Sequence, residues 1–168
     1  SPRRLSSRSM YELDGRLVLI TGGARGIGRC CAEALVAEGA RVVIADLDLA
    51  VVEETAARLG HGVRGYPLDV SDSDAFHGCV KKITEDMGPI DILINNAGVM
   101  HIGPIDSLSN EAAIRMVRVN WLGVLNGIHA VRPTMQSNGG GLIVNIASLV
   151  ARIPVAYAAA YSATKSAV

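Results

Sequence analysis

Short runs of apolar, β-branched residues alternate along this chain with longer segments in which apolar residues recur every three or four positions. RLVLIT (16–21), RVVIAD (41–46), ILIN (92–95) and LIVNIAS (142–148) are brief and almost uniformly apolar. Such runs read as parallel strands buried on both faces. VRGYPLDV (63–70) reads as a weaker strand. The first helical segment starts near Gly26, is expected to bury Ile27, Cys31 and Leu35, and stops at Gly39. The second is capped by Asp48, carries Val52, Thr55, Ala56 and Leu59 on one face, and stops at Gly60. The third opens at Ser71 with Asp74 at capping-box spacing, carries Ala75, Phe76, Cys79, Val80 and Ile83, and ends before Gly88-Pro89. A longer helix from near Ser109 shows Ile114, Val117, Trp121, Val124, Ile128 and Val131 as one apolar stripe, until Pro133 kinks or ends it. Strands alternating with helices predict right-handed crossovers, and so an α/β fold with a doubly wound parallel sheet in a single domain.

Composition narrows the function. The 168 residues suit one domain with a core and are too few for two. Hydrophobic residues make up 49% and charged residues 19%, which is globular. Sixteen basic and sixteen acidic side chains cancel, which argues against a general nucleic-acid or membrane-surface binder. The most apolar stretch, 142–160, is interrupted by Asn145, Ser148 and Arg152, too polar to span a bilayer. Cys30, Cys31 and Cys79 include no C-x-x-C pair, and His61, His77 and His129 show no ligand spacing, so neither a disulfide framework nor a metal site is expected. The cysteines read as small buried hydrophobes in a reducing, cytoplasmic setting. The first ten residues, SPRRLSSRSM, are rich in Ser and Arg and lack acids. They read as a disordered tail or a misplaced start, with Met10 the natural beginning and residues 11–168 the domain.

The first strand runs straight into Thr21-Gly22-Gly23-Ala24-Arg25-Gly26-Ile27-Gly28. Glycines there permit a tight turn and close approach of backbone to a diphosphate, and the following helix presents free N–H groups and a positive dipole end. The strand-before and helix-after context is what gives the glycine string its weight. Asp46 ends the second strand, where a carboxylate can accept both hydroxyls of an adenosine ribose and repel a 2′-phosphate. That favours NAD. Arg25 in the loop pulls towards NADP, and the direct opposition at the ribose gives Asp46 the greater weight.

Three further motifs follow in order: Asn95-Asn96-Ala97-Gly98 at the end of the fourth strand, Ser148 at the end of the fifth, and Tyr161-Ser162-Ala163-Thr164-Lys165 opening the next helix. With TGGARGIG, these resemble the short-chain dehydrogenases/reductases over roughly residues 14–168. The resemblance implies a Rossmann-type fold, a nicotinamide cofactor and carbonyl–alcohol redox chemistry. It places Gly22, Gly26, Ile27 and Gly28 at the phosphates, Asp69 and Val70 beside the adenine, and Asn96 and Gly98 beside the cofactor ribose, with Asn95 bracing the sheet. It makes Asn120, Ser148, Tyr161 and Lys165 the catalytic tetrad, with Asn120 holding a water that links Lys165 to solvent, and counts Tyr161 and Lys165 among the cofactor-binding residues too, Lys165 reaching the nicotinamide ribose.

The residue types suit that chemistry. Tyr161 and Lys165 lie four apart on one helix face, and a neighbouring ammonium favours the phenolate, so Tyr161 can take or return the substrate's hydroxyl proton. Ser148 can donate to the substrate oxygen as charge develops. The leading function is therefore an NAD-dependent oxidoreductase acting on a secondary alcohol or ketone. The alternatives are a non-catalytic dinucleotide sensor or regulator on the same fold, which the intact tetrad disfavours, and a relative using bound NAD for epimerisation or elimination. Val99, Met100, Leu149, Val150, Val155 and Ala156 flank the motifs and lean towards an apolar substrate, although core packing would explain them equally. His101 reads as either a solvated loop histidine or part of the substrate cleft. The resemblance implies a homodimer or homotetramer built on the long helix and the Tyr161 helix. The sequence stops at Val168 inside a predicted helix with no stop signal. The expectation is a piece of a longer enzyme, with LIVNIAS left as an apolar sheet edge. Alone it should bind the adenine half of NAD weakly and turn over nothing.

Overall fold

A computed structural model describes residues 13–168; the reading of residues 1–10 as a tail lies outside the described residues. Five strands form one parallel sheet: β1 (Leu17–Thr21), β2 (Arg41–Asp46), β3 (Arg64–Pro67), β4 (Ile92–Asn95) and β5 (Leu142–Asn145). Their order is β3-β2-β1-β4-β5. Leu17 registers with Arg41 on one side of β1, and Val18 with Ile92 on the other. The winding reverses between β1 and β4, and that switch point opens a crevice at the carboxyl ends of the strands.

The helices are α1 (Gly26–Ala37), α2 (Leu49–Leu59), α3 (Ser73–Met87), α4 (Asn110–Val117), α5 (Gly123–Ser137) and α6 (Ala159–Ser166). Alternate strand residues face opposite layers. Leu17, Leu19, Val43 and Leu93 pack with Phe76 and Ile83 of α3 and Val131 and Met135 of α5. Val18, Ile20, Val42, Ile44 and Ile94 pack with Ala32 of α1 and Val52 and Ala56 of α2. Helices thus cover both faces, which explains why the strand sequences alternate so little. Among the described residues β5 pairs only with β4, and its residues are half-buried apart from the exposed Leu142, as befits a sheet edge.

Several local expectations change. α3 is capped by Asp72, whose Oδ1 accepts from the Ala75 N–H at 2.9 Å. Ser71 is held instead by Asp69 Oδ1, which takes both its N–H and its hydroxyl (2.9 and 2.7 Å), so the chain enters the helix one residue later. Ala75 is exposed. Pro133 lies within α5, which continues to Ser137. The long helix is divided by a π turn at Arg118–Leu122. Its buried path runs through Met116, Asn120, Val124, Ala130, Val131 and Met135, while Ile114, Val117 and Trp121 are exposed. Of the cysteines only Cys79 is buried, and burial pushes its thiol up to about 11; Cys31 is half-buried and Cys30 exposed on the solvent side of α1.

Candidate active site

The loops after β1, β2, β3 and β4 converge on a cleft of about 670 Å³. Gly22, Arg25, Gly26, Ile27, Asp46, Asp69, Val70, Asn96 and Gly98 all line it. Ile27 is therefore not core. It sits in the first turn of α1, 65% exposed, with its side chain on the cleft rather than against the sheet. Gly22 adopts φ +63°, and a Cβ there would lie 2.9 Å from the Ala97 Cα. Gly28 does not line the cleft. A Cβ at that position would overlap the Gly22 carbonyl and stand 2.6 Å from Asn96 Nδ2, so glycine lets α1 lie against the loop.

Asn96 braces this loop, donating from Nδ2 to the carbonyls of Thr21 (2.9 Å) and Gly22 (3.1 Å). Asn95 donates to Asn145 Oδ1 at 3.0 Å, joining β4 to β5 as a sheet brace. Thr21 was not singled out from the sequence. Its buried hydroxyl accepts the N–H groups of Asn96 and Ala97, both at 3.1 Å, tying β1 to β4 across the switch point. Asp46 is oriented by backbone donors: Oδ2 accepts from Ala24 at 3.1 Å and Oδ1 from Leu47 at 2.8 Å. Asp69 turns to Ser71, and the Val70 carbonyl accepts from Asn126 at 2.9 Å. Arg115 and Val119 also line the cleft. No motif marks them, because the π turn that brings this wall over the cleft leaves no trace in the periodicity.

Beside the cleft a second group of residues is buried. Asn120, in the π turn, is fully buried, and its carboxamide is nearly saturated. Oδ1 accepts from the Val99 N–H (2.8 Å), and Nδ2 donates to the Val99 carbonyl (2.9 Å) and to Thr164 Oγ1 (3.0 Å). Thr164 in turn donates to the Tyr161 carbonyl at 2.8 Å. Lys165 is only 5% exposed, donates to the Ile146 carbonyl at 2.7 Å, and has its pKa pushed down by burial. A Cβ on Gly98 would stand 3.4 Å from Asn120 Oδ1 and 3.6 Å from Lys165 Nζ, so this glycine keeps the space between them open. Tyr161 is half-buried in α6, one turn before Lys165. Ser148 stands immediately before a short 3₁₀ turn, Leu149–Ala151, which packs on α6 and is tied to it by Ser166 Oγ donating to the Ala151 carbonyl. Among the described residues no hydrogen bond joins Ser148 to Tyr161. Met100, Leu149, Val155 and Ala156 are exposed, so core packing does not account for their apolar character; Val99 and Val150 are half-buried.

The sequence model for "short chain dehydrogenase" matches residues 16–168. The chain belongs to the short-chain dehydrogenase family. It is 44% identical over 158 residues to a sorbitol dehydrogenase of Cereibacter sphaeroides, an alignment covering 94% of this chain and 62% of the relative. The crystal structure of a short chain dehydrogenase/reductase from Burkholderia phymatum, in complex with NAD, superposes with a TM-score of 0.89 at 31% identity, covering 94% of this chain and 58% of that one. A gluconate 5-dehydrogenase from Burkholderia cenocepacia J2315, in complex with NADP and tartrate, gives 0.88 at 35% identity, covering 93% and 62%. The chain thus spans about three-fifths of the length of these relatives.

Proposed function

We propose that this short-chain dehydrogenase transfers a hydride between a nicotinamide dinucleotide, preferably NAD, and a secondary alcohol or its ketone. The observation that carries the reading is the meeting, at the switch point of the sheet, of a glycine-cradled cleft and the buried Asn120–Thr164–Lys165 group of the Tyr161 helix. The cleft fits a dinucleotide: Gly22 and Gly26 take positive φ, α1 begins at its floor, and Asp46 stands at the end of β2. Gly22, Gly26, Ile27 and the α1 start enabled by Gly28 would hold the diphosphate. Asp46 would hold the adenosine ribose, Asp69 and Val70 the adenine, and Gly98 the second ribose, with Asn96 fixing the loop. When bound, the nicotinamide accepts or returns the hydride.

The protein's own residues handle the proton. In oxidation the Tyr161 oxygen takes the substrate's hydroxyl proton; in reduction it returns it. Lys165 places a cation beside that phenol and the nicotinamide ribose. Ser148 donates to the reacting oxygen. Asn120 Oδ1 accepts one hydrogen bond, from the Val99 N–H, and keeps capacity for a second, while the Gly98 position lies within 3.6 Å of both this oxygen and Lys165 Nζ, which supports the water relay that the family resemblance implies. The competing reading, a dinucleotide sensor, predicts nucleotide binding without turnover. The appearance of reduced nicotinamide with a panel of secondary alcohols, using the full-length protein, separates the two.

NAD-bound and NADP-bound relatives both superpose on this chain, so the preference rests on Asp46. Asp46→Ala should narrow or invert the NAD:NADP affinity ratio by at least about tenfold, the size of one close charge contact near a surface. Calorimetry on both proteins checks it, and a parent that prefers NADP would show that Arg25 dominates.

Assembly follows from exposed apolar surface. Ile114, Val117, Trp121 and Leu122 form a patch on α4 and the π turn, close to α6, which α4 contacts. We propose that this face pairs in a homodimer or homotetramer. Light scattering should then give a multiple of the chain mass, and Trp121→Glu should lower it. An unchanged mass would remove Trp121 from the interface.

A further inference from the structure

A second cavity, of about 290 Å³, lies between the loop after β4 and the first turn of α6. Ala159 and Ala160, immediately before Tyr161, form one wall. His101 and Tyr157 line it together with Asp106. We propose that His101 and Tyr157 form a polar subsite that hydrogen-bonds hydroxyl groups of a polyhydroxylated substrate remote from the reacting carbon, making this pair a specificity determinant. The inference rests on the alcohol–ketone reading above and names its substrate class.

Two features support it. The His101 imidazole borders the cavity, yet its Nε2 is covered and has no hydrogen-bond partner among the described residues. A covered, unpaired ring nitrogen is costly. A half-turn of the ring replaces it with a C–H and presents nitrogen elsewhere. His101 as a whole is only half-buried and borders the cavity, and a hydroxyl, both donor and acceptor, suits the accessible part of the ring in either tautomer. Tyr157 is held at φ +64°, a left-handed conformation that a bulky side chain rarely adopts. Its carbonyl accepts from the Gly103 N–H at 3.0 Å, which ties the strained residue to the His101 loop. Strain of this kind persists where the surrounding structure holds it, commonly at ligand sites, and here it places an exposed phenol at the cavity. Gly103 does not need to be glycine for its backbone, since its φ is not positive. A Cβ there would instead stand 2.7 Å from Ser107 Oγ, so the small residue makes room for that hydroxyl beside the cavity.

The test compares sorbitol with an unbranched aliphatic secondary alcohol of the same carbon count, on the full-length parent, His101→Leu, His101→Gln and Tyr157→Gly. For His101→Leu, kcat/KM for sorbitol should fall about tenfold or more while that for the aliphatic alcohol stays unchanged. His101→Gln, which keeps a hydrogen-bonding side chain, should recover part of the loss. Tyr157→Gly should lose sorbitol selectivity while its thermal midpoint rises, because glycine accepts the left-handed conformation. Parallel losses on both alcohols, or a parent that favours the aliphatic one, would overturn the subsite. Calorimetric titration with sorbitol in the presence of nucleotide separates this from the catalytic reading. Binding that weakens in His101→Leu upholds the subsite even in a protein with no turnover, and a parent that does not bind sorbitol refutes it.

Discussion

Tyr161→Phe should lower kcat by about 10²–10⁴-fold, the range for losing a general acid–base group, while the affinity for NAD changes little. The substitution removes one oxygen and keeps the ring. The walls of the 670 Å³ cleft come from the loops after β1 to β4 and from α4 and the π turn, so most of the nucleotide's contacts would lie away from the Tyr161 hydroxyl. Its backbone carbonyl, which Thr164 uses to join α6 to Asn120, is untouched by the change, so the Asn120–Thr164 link should survive. Strongly reduced turnover with intact NAD binding is therefore expected, measured by steady-state oxidation of a secondary alcohol and by calorimetry. Near-normal turnover would take Tyr161 out of the mechanism. A parallel loss of NAD binding would show that the ring hydroxyl holds the nucleotide rather than the proton.

β1, β2 and β4 were legible in the sequence because they are buried on both faces, which leaves a short, nearly uninterrupted apolar run. The glycine loop was legible because Gly22 and Gly28 answer to backbone geometry that no other residue meets. Asp46 was legible by position alone, and its two backbone donors supply the orientation that a sequence does not show. What hydropathy misread has physical causes. Ile27 is apolar because it borders a cleft, and periodicity does not distinguish a side chain facing a cleft from one facing the core. In the long helix the buried path uses Asn120, Gly123, Gly127 and Ala130, residues that a hydrophobic count passes over. Gly127 is small because a Cβ would stand 2.5 Å from Asn95 Oδ1 and 3.0 Å from Phe76 Cζ. The stronger apolar signal came from Ile114, Val117 and Trp121, which lie on the neighbouring, exposed stripe. The π turn joins the two stripes, and π turns concentrate at functional sites. Here it carries the buried Asn120. Thr21 and Thr164 are not legible in the sequence, because only the fold brings the hydroxyl of each against a second element.

Lys165→Met should separate the function of the lysine from its effect on stability. The ammonium is buried, and burial lowers its pKa, so the unfolded chain holds this proton more tightly than the folded one. The sign follows from linkage. Below the folded pKa both states are protonated and the burial cost is fully present. Between the folded pKa and the ordinary lysine value the unfolded state binds more protons, so stability rises with pH. Above the ordinary value the cost is gone. Methionine has no proton to lose and keeps the unbranched stem. The stability of Lys165→Met relative to the parent should therefore be greatest at neutral pH and decline as the medium becomes alkaline through that window. Its absolute level also includes the Ile146 carbonyl, which loses the 2.7 Å bond from Nζ, but that term does not vary with pH. Activity should move the other way. Without the cation beside Tyr161, turnover at neutral pH should fall by at least about 10²-fold, the scale for removing one preorganised electrostatic contact. Thermal unfolding of both proteins across the alkaline range, with kcat measured in parallel, checks both halves. A stability difference that stays flat with pH would mean that Lys165 pays no burial cost, and unchanged turnover would mean that the cation does not act on the phenol.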